Sequence, residues 1–191
     1  MLNIKRRALR AGVLAAVAAT AFPAAASAAK CDKLATSKVF AALGDSNDYF
    51  LAPGGDFEGA LNWKTSGSVS QRWTHPALPA AGSTGLVVGA GGSATSPELC
   101  ADLDRPTLRF GAYALGGTGV LRLDAVDHKG ATTLLARVTA AQAASLPLTG
   151  SLGFGSLLGL DVQGSKSVQL KLTAESGTWT VDAVYIDPYM R

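Results

Sequence analysis

Pro106-Thr107-Leu108-Arg109-Phe110-Gly111-Ala112-Tyr113-Ala114 alternates strictly: Leu108, Phe110 and Ala112 fall on one parity, Thr107, Arg109 and Tyr113 on the other. That period of two is the mark of a β-strand with one buried face. The pattern recurs at 120–126, where Leu121, Leu123 and Ala125 oppose Arg122 and Asp124. It recurs again at 132–138, with Leu134, Ala136 and Val138 on one parity, and at 167–173, where Val168, Leu170 and Leu172 oppose Gln169 and Lys171. Gly116-Gly117, Asp127-His128-Lys129-Gly130, Gly164-Ser165 and Ser176-Gly177 supply turns between these runs. The final run, 179–186, is apolar on both parities and is expected to be a central strand. Shorter strands are expected at 49–51, 56–58, 69–73, 86–88 and 98–101, separated by Pro-, Gly- and Ser-containing loops. Helical signal is confined to a turn or two at 32–43 and 139–145, the latter with Thr139 and Gln142 at capping-box spacing. The glycine-broken apolar stretch 146–160 reads as a crossover between sheets. Many short strands and almost no helix give an all-β chain, an antiparallel β-sandwich of jelly-roll type.

The N-terminus reads as an export signal. Lys5, Arg6, Arg7 and Arg10 precede an apolar run over 11–22, and Ala26-Ser27-Ala28 offers the small-x-small cleavage pattern. The run falls short of the ~20 residues that a membrane span needs. The expected organisation is a cleavable signal at 1–29 and one β-sandwich domain at 30–191, secreted or held at the cell surface, with no membrane span in the mature form. The whole chain carries 17 Lys and Arg against 14 Asp and Glu, and four of those bases lie in the signal. The mature chain is therefore close to neutral, at −1, without a basic stripe, which argues against nucleic acid as a partner. The two cysteines, Cys31 and Cys100, allow one pairing. In an oxidising compartment a disulfide is the expectation, worth about 4 kcal/mol in chain entropy for a loop of this length.

Catalytic motifs find little support. Gly44-Asp45-Ser46 resembles the nucleophile block of GDSL-type esterases, but no Asp-x-x-His follows near the C-terminus and the α/β alternation of such enzymes is missing. His75 and His128 stand far apart, each beside a turn. The glycine clusters at 89–92 and 153–159 lack the strand-before, helix-after context of a phosphate loop.

One constellation joins the ends of the domain. Gly54-Gly55-Asp56-Phe57-Glu58-Gly59 and Trp63 stand near its start, and Trp179-Thr180-Val181-Asp182-Ala183-Val184-Tyr185 closes it. This resembles non-catalytic carbohydrate-binding modules of jelly-roll, galactose-binding-like type. The resemblance implies a structural calcium between the terminal strands, with Glu58, Asp182 and Asp56 as ligands, since Ca²⁺ takes hard oxygens. Ala183 departs from it, standing where a second Asp is usual. From Cys31 through residues 49–58, 93–100, 105–110 and 179–188, the chain is also similar to a family of exported actinobacterial proteins of unknown function. The implied function is glycan binding, to a polysaccharide or cell-envelope polymer, with rings stacking on sugar faces. Trp73, Tyr113, Arg109 and Arg72 are the candidate ligand contacts, while Trp63 and Trp179 are expected in the core. A surface or matrix protein that meets other proteins and has no small ligand is the alternative.

Overall fold

A computed structural model describes residues 35–73, 82–101, 107–145, 152–153 and 166–187. The expected signal sequence, Cys31, His75 and most of 146–160 lie outside the described residues. The strands, in chain order, are β1 (Phe50–Leu51), β2 (Lys64–Ser66), β3 (Val69–Trp73), β4 (Thr84–Val88), β5 (Ser93–Thr95), β6 (Leu99–Ala101), β7 (Thr107–Asp127), β8 (Thr132–Thr139), β9 (Leu152–Gly153) and β10 (Lys166–Asp187). Among the described residues, helix is limited to a 3-10 turn at Ala41–Leu43 and α1 at Ala140–Ser145. The capping box anticipated for α1 forms in both directions: Gln142 N donates to Thr139 Oγ1 (3.3 Å) and Thr139 N donates to Gln142 Oε1 (2.9 Å).

Every ladder among the described residues is antiparallel, and β7 and β10 form the spine, paired from Thr107↔Asp187 to Asp127↔Val168. Gly116-Gly117 and Ser176-Gly177 were expected to end strands and reverse the chain. They do neither, because β7 and β10 run straight through them. Gly116, Gly117, Gly119 and Gly177 all take positive φ, and the register between β7 and β10 shifts at Ser176. A ribbon with glycine bulges can bend sharply and keep its pairing, which a reversal would break.

The bend divides the sheet into two halves. In the first, β10 residues 166–173 pair with β5 and β6 on one side and with β7 on the other, β2 extends β5, and β8 extends β7. In the second, β10 beyond the bend pairs with β1 and β4 on one side and β7 on the other, with β3 beside β4. Both halves turn the same face inward: Leu121, Leu123, Leu170 and Leu172 from one meet Leu86, Leu108, Phe110, Trp179 and Val181 from the other in one core. The expected sandwich is thus a single curled sheet. Trp63 and Trp179 are in the core, as anticipated, and their indole N–H groups are spent on Pro53 O and Ser176 O.

The strand expected over 56–58 is instead part of a turn-rich loop after β1 in which Phe57 takes a left-handed conformation (φ 53°). This places the Phe57 ring edge-on to Trp63 in the core, with ring centroids 5.3 Å apart. Cys100, the other half of the expected disulfide, lies in β6 opposite Ser167.

Candidate functional site

Near its end β10 carries one residue more than β7: Asp182 faces Gly111 and Tyr185 faces Arg109, so Ala183 and Val184 share a single partner. Ala183 sits at φ 57° in this bulge. The kink frees Val184 to exchange main-chain hydrogen bonds with Ala52 and Gly55 of the loop after β1. Those bonds bring the loop and the last strand together, as the reading of the two chain ends anticipated.

Asp182 is 2% exposed. Its Oδ1 accepts from Ala183 N at 2.7 Å, while Oδ2 finds no hydrogen-bond partner among the described residues. Burial pushes its carboxyl up to about 7. The Ala183 N–H opposes this, and the charges of Glu58 and Asp56 add to it. The three acidic residues singled out in the sequence therefore share one field. Glu58 has other duties, because its Oε1 accepts from Ser83 N (2.7 Å) and Thr84 N (2.5 Å) and so ties the loop to the start of β4. Among the described residues no three His, Cys, Asp or Glu side chains stand close enough to hold a metal by themselves. A hard cation here would need Asp182 as its anchor and main-chain oxygens or water for much of its shell.

The aromatic and basic candidates divide between faces. On the outward face of the second half, register aligns Ser70, Val87, Thr180 and Tyr113 in one row across β3, β4, β10 and β7. Tyr113 is 58% exposed there, with exposed Leu115 two residues along. Arg72 shares this parity, paired with Gly85 in the adjacent row. Trp73 is 69% exposed but has the opposite parity, that of Gln71, whose amide turns under the sheet to Phe57 O and Gly59 O. Trp73 and Tyr113 do not share a face of the sheet.

Arg109 is occupied structurally. Its guanidinium lies 3.1 Å from Asp45 and 6.0 Å from the ring centroids of both Phe40 and Tyr49. Phe40, Tyr49 and Ala183 form a small second core on the outward face, with Tyr185 packed against it. The Tyr49 hydroxyl donates to Asp45 at 2.6 Å, and burial together with this bond pushes it up to about 12. Asp45 also accepts from Asn47 N. Gly44-Asp45-Ser46 therefore anchors the 35–49 segment over the end of the sheet, and Asp45 is the residue through which it does so. Nothing in the sequence signals this clamp beyond the motif that resembles an esterase block. His128 lies in the β7–β8 turn, where Asp127 Oδ1 accepts from Lys129 N and Ala131 N.

No family model and no curated protein matches the sequence. Solved structures do match the fold. The chain is similar to a Family 11 Carbohydrate-Binding Module from Clostridium thermocellum, described in complex with a beta-1,3-1,4-mixed-linked tetrasaccharide. The TM-score is 0.50 at 16% identity, over 75% of this chain and 97% of that one. Looser matches include the Family 11 module of the cellulosomal cellulase Lic26A-Cel5E of Clostridium thermocellum (TM-score 0.46, 15% identity, 75% and 96% covered). The xylan-binding module CBM15 is another (TM-score 0.45, 16% identity, 73% and 95% covered).

Proposed function

We propose that this chain is a secreted, non-catalytic module that binds a polysaccharide or cell-envelope glycan on the outward face around Tyr113. The observation that carries the reading is the row Ser70–Val87–Thr180–Tyr113, in which the exposed ring of Tyr113 ends a flat line of half-buried Ser70 and Val87 and buried Thr180 on a sheet face. Such a face leaves room for a pyranose ring to lie against the phenol, over the buried Thr180. Ser70 and Arg72, about 14 Å away across three ladder spacings, would hydrogen-bond sugars further along the same glycan chain. The fold supports it by analogy, since the matched solved structure bears a tetrasaccharide. Arg109, held by Asp45, contributes by fixing β7 below Tyr113. Trp73 would meet ligand only from the other side of β3. The reading includes one disulfide between Cys31 and Cys100, and a cation at Asp182. The buried, unpartnered Oδ2 in the field of Glu58 and Asp56 supports the cation, and calcium would supply charge neutralisation there.

Depletion of the purified protein by a panel of insoluble and soluble neutral glycans tests the reading. Retention on at least one glycan is expected, weakened about ten-fold or more in Tyr113→Ala, since loss of a stacking ring is worth on the order of 1–3 kcal/mol. Retention by none of the panel, or retention indifferent to Tyr113, would overturn it.

A further inference from the structure

The outward face of the other half of the sheet carries a separate chemistry. Register aligns Lys64, Thr95, Lys171, Asp124 and Leu134 across β2, β5, β10, β7 and β8. The next row runs Ser66, Ser93, Thr173, Arg122 and Arg137. These side chains point away from the core because their alternate neighbours, Ala94, Leu123, Leu170 and Leu172, are buried in it. The carboxylates of these two rows are already taken, and Glu98, further along the face, accepts from Ser167 Oγ at 2.9 Å. Asp124 is held by Arg122 through bonds of 2.7 to 2.9 Å, and Glu175, at the bend, is held by Arg137 at 2.9 Å with Arg122 at 3.8 Å. Lys64 and Lys171 have no ion-pair partner among the described residues. Two ladder spacings separate them, so their Cα atoms stand about 10 Å apart with the Thr95 hydroxyl between, and Ser93 and Thr173 lie about 7 Å along the strands.

No Trp, Tyr or Phe occurs in either row. Recognition here cannot rely on ring stacking and must come from charge and hydroxyl hydrogen bonding. Two uncompensated ammonium groups over a hydroxyl ladder, on a nearly neutral chain, complement a polymer with regularly spaced anionic groups and abundant hydroxyls. Two such cations are too few for the phosphate-dominated binding of nucleic acid. We infer that this face, through Lys64 and Lys171 with Thr95, Ser93 and Thr173, binds an acidic polysaccharide bearing carboxylate or sulfate groups. The site makes no use of Tyr113, so it stands or falls independently of the Tyr113 face.

The test is affinity electrophoresis of the purified protein through gels containing a polyuronate, a sulfated polysaccharide or a neutral β-glucan, with the two anionic gels separating carboxylate from sulfate recognition. The variants are Lys64→Gln/Lys171→Gln and, as a control for lost charge, Lys129→Gln in the β7–β8 turn. Retardation by at least one acidic polymer is expected, reduced about ten-fold in affinity by the double variant and unaffected by Lys129→Gln. It should vanish in about 1 M salt, where the screening length falls to ~3 Å. Acidic-polymer retardation that is unchanged in the double variant, or that survives the salt, overturns the inference. Retardation by the neutral glucan alone overturns it too and leaves the Tyr113 reading intact. Capture by anionic phospholipid vesicles without retardation by either acidic polymer also counts against it. Matching unfolding curves for the variants and the parent protein establish that a lost signal reports on the face and not on the fold.

Discussion

Replacing Asp182 with Asn should abolish a pH dependence that the buried carboxyl imposes on the whole fold. In the folded protein its pKa is raised from 3.8 to about 7, chiefly because burial disfavours the charge. Between those values the folded state holds a proton that the unfolded state has released, so stability falls as pH rises through this window and levels off above it. At about 1.4 kcal/mol per unit, the full loss is on the order of 4 kcal/mol. The substituted amide would keep the acceptor for Ala183 N but would carry no charge at any pH. It would also bury an N–H₂ group where Oδ2 now lacks a partner, at a constant cost of about 1–3 kcal/mol.

The measured quantity is therefore the difference between the two proteins. Urea unfolding in chelator from about pH 4 to about pH 8 should show wild type losing ground to Asp182→Asn by roughly 4 kcal/mol across the range. Carboxylates remote from Asp182 contribute equally in both proteins and cancel. Calcium added at the upper end should restore wild type and leave the variant unmoved, with a gain of about 2.7 kcal/mol at a hundred-fold excess over the dissociation constant. A difference that stays flat from acid to neutral pH would refute the account of Asp182. A flat response to calcium with the pH dependence intact would leave a neutral buried acid and remove the cation.

The Arg109–Asp45–Tyr49 clamp predicts that Asp45→Ala lowers unfolding free energy by about 2 kcal/mol, since it strands a half-buried guanidinium and a buried hydroxyl; a loss below about 0.5 kcal/mol in urea unfolding would show the clamp to be incidental. Gln142→Ala should cost about 1 kcal/mol by removing one arm of the α1 capping box, and Gln142→Glu should retain most of it. Gly177→Ala places a Cβ against the Thr118 carbonyl at a φ of 74°, so it should destabilise by about 2 kcal/mol or more. Gly130→Ala, at a φ of 82° with open space around it, isolates the backbone cost alone and should lose about 1 kcal/mol by the same thermal or urea assay.

Period-two alternation in 106–114, 120–126 and 167–173 was sufficient to identify the strands, their inward faces and hence the β class, because a side chain's parity on a strand is fixed by local geometry. The capping box at Thr139 and Gln142 and the turn at Asp127–Gly130 were legible for the same reason, since each is made within four residues. Gly116-Gly117 and Ser176-Gly177 read as turns because a glycine's positive φ has the same sequence signature in a reversal and in a bulge. The choice belongs to the partner strand: β7 and β10 bend together, keep their ladder and wrap a single core. The pairing of Asp45 with Arg109 depends on where the 35–49 segment crosses the sheet, and no local periodicity encodes that crossing. Likewise Asp56, Glu58 and Asp182 were visible as acidic residues at the two chain ends, whereas the burial that raises Asp182, and the Ser83 and Thr84 amides that occupy Glu58, arise only once the last strand bulges toward the first loop. The lysine pair was the least visible of all, because Lys64 and Lys171 lie far apart in sequence and become neighbours across one strand only through the register of β2, β5 and β10.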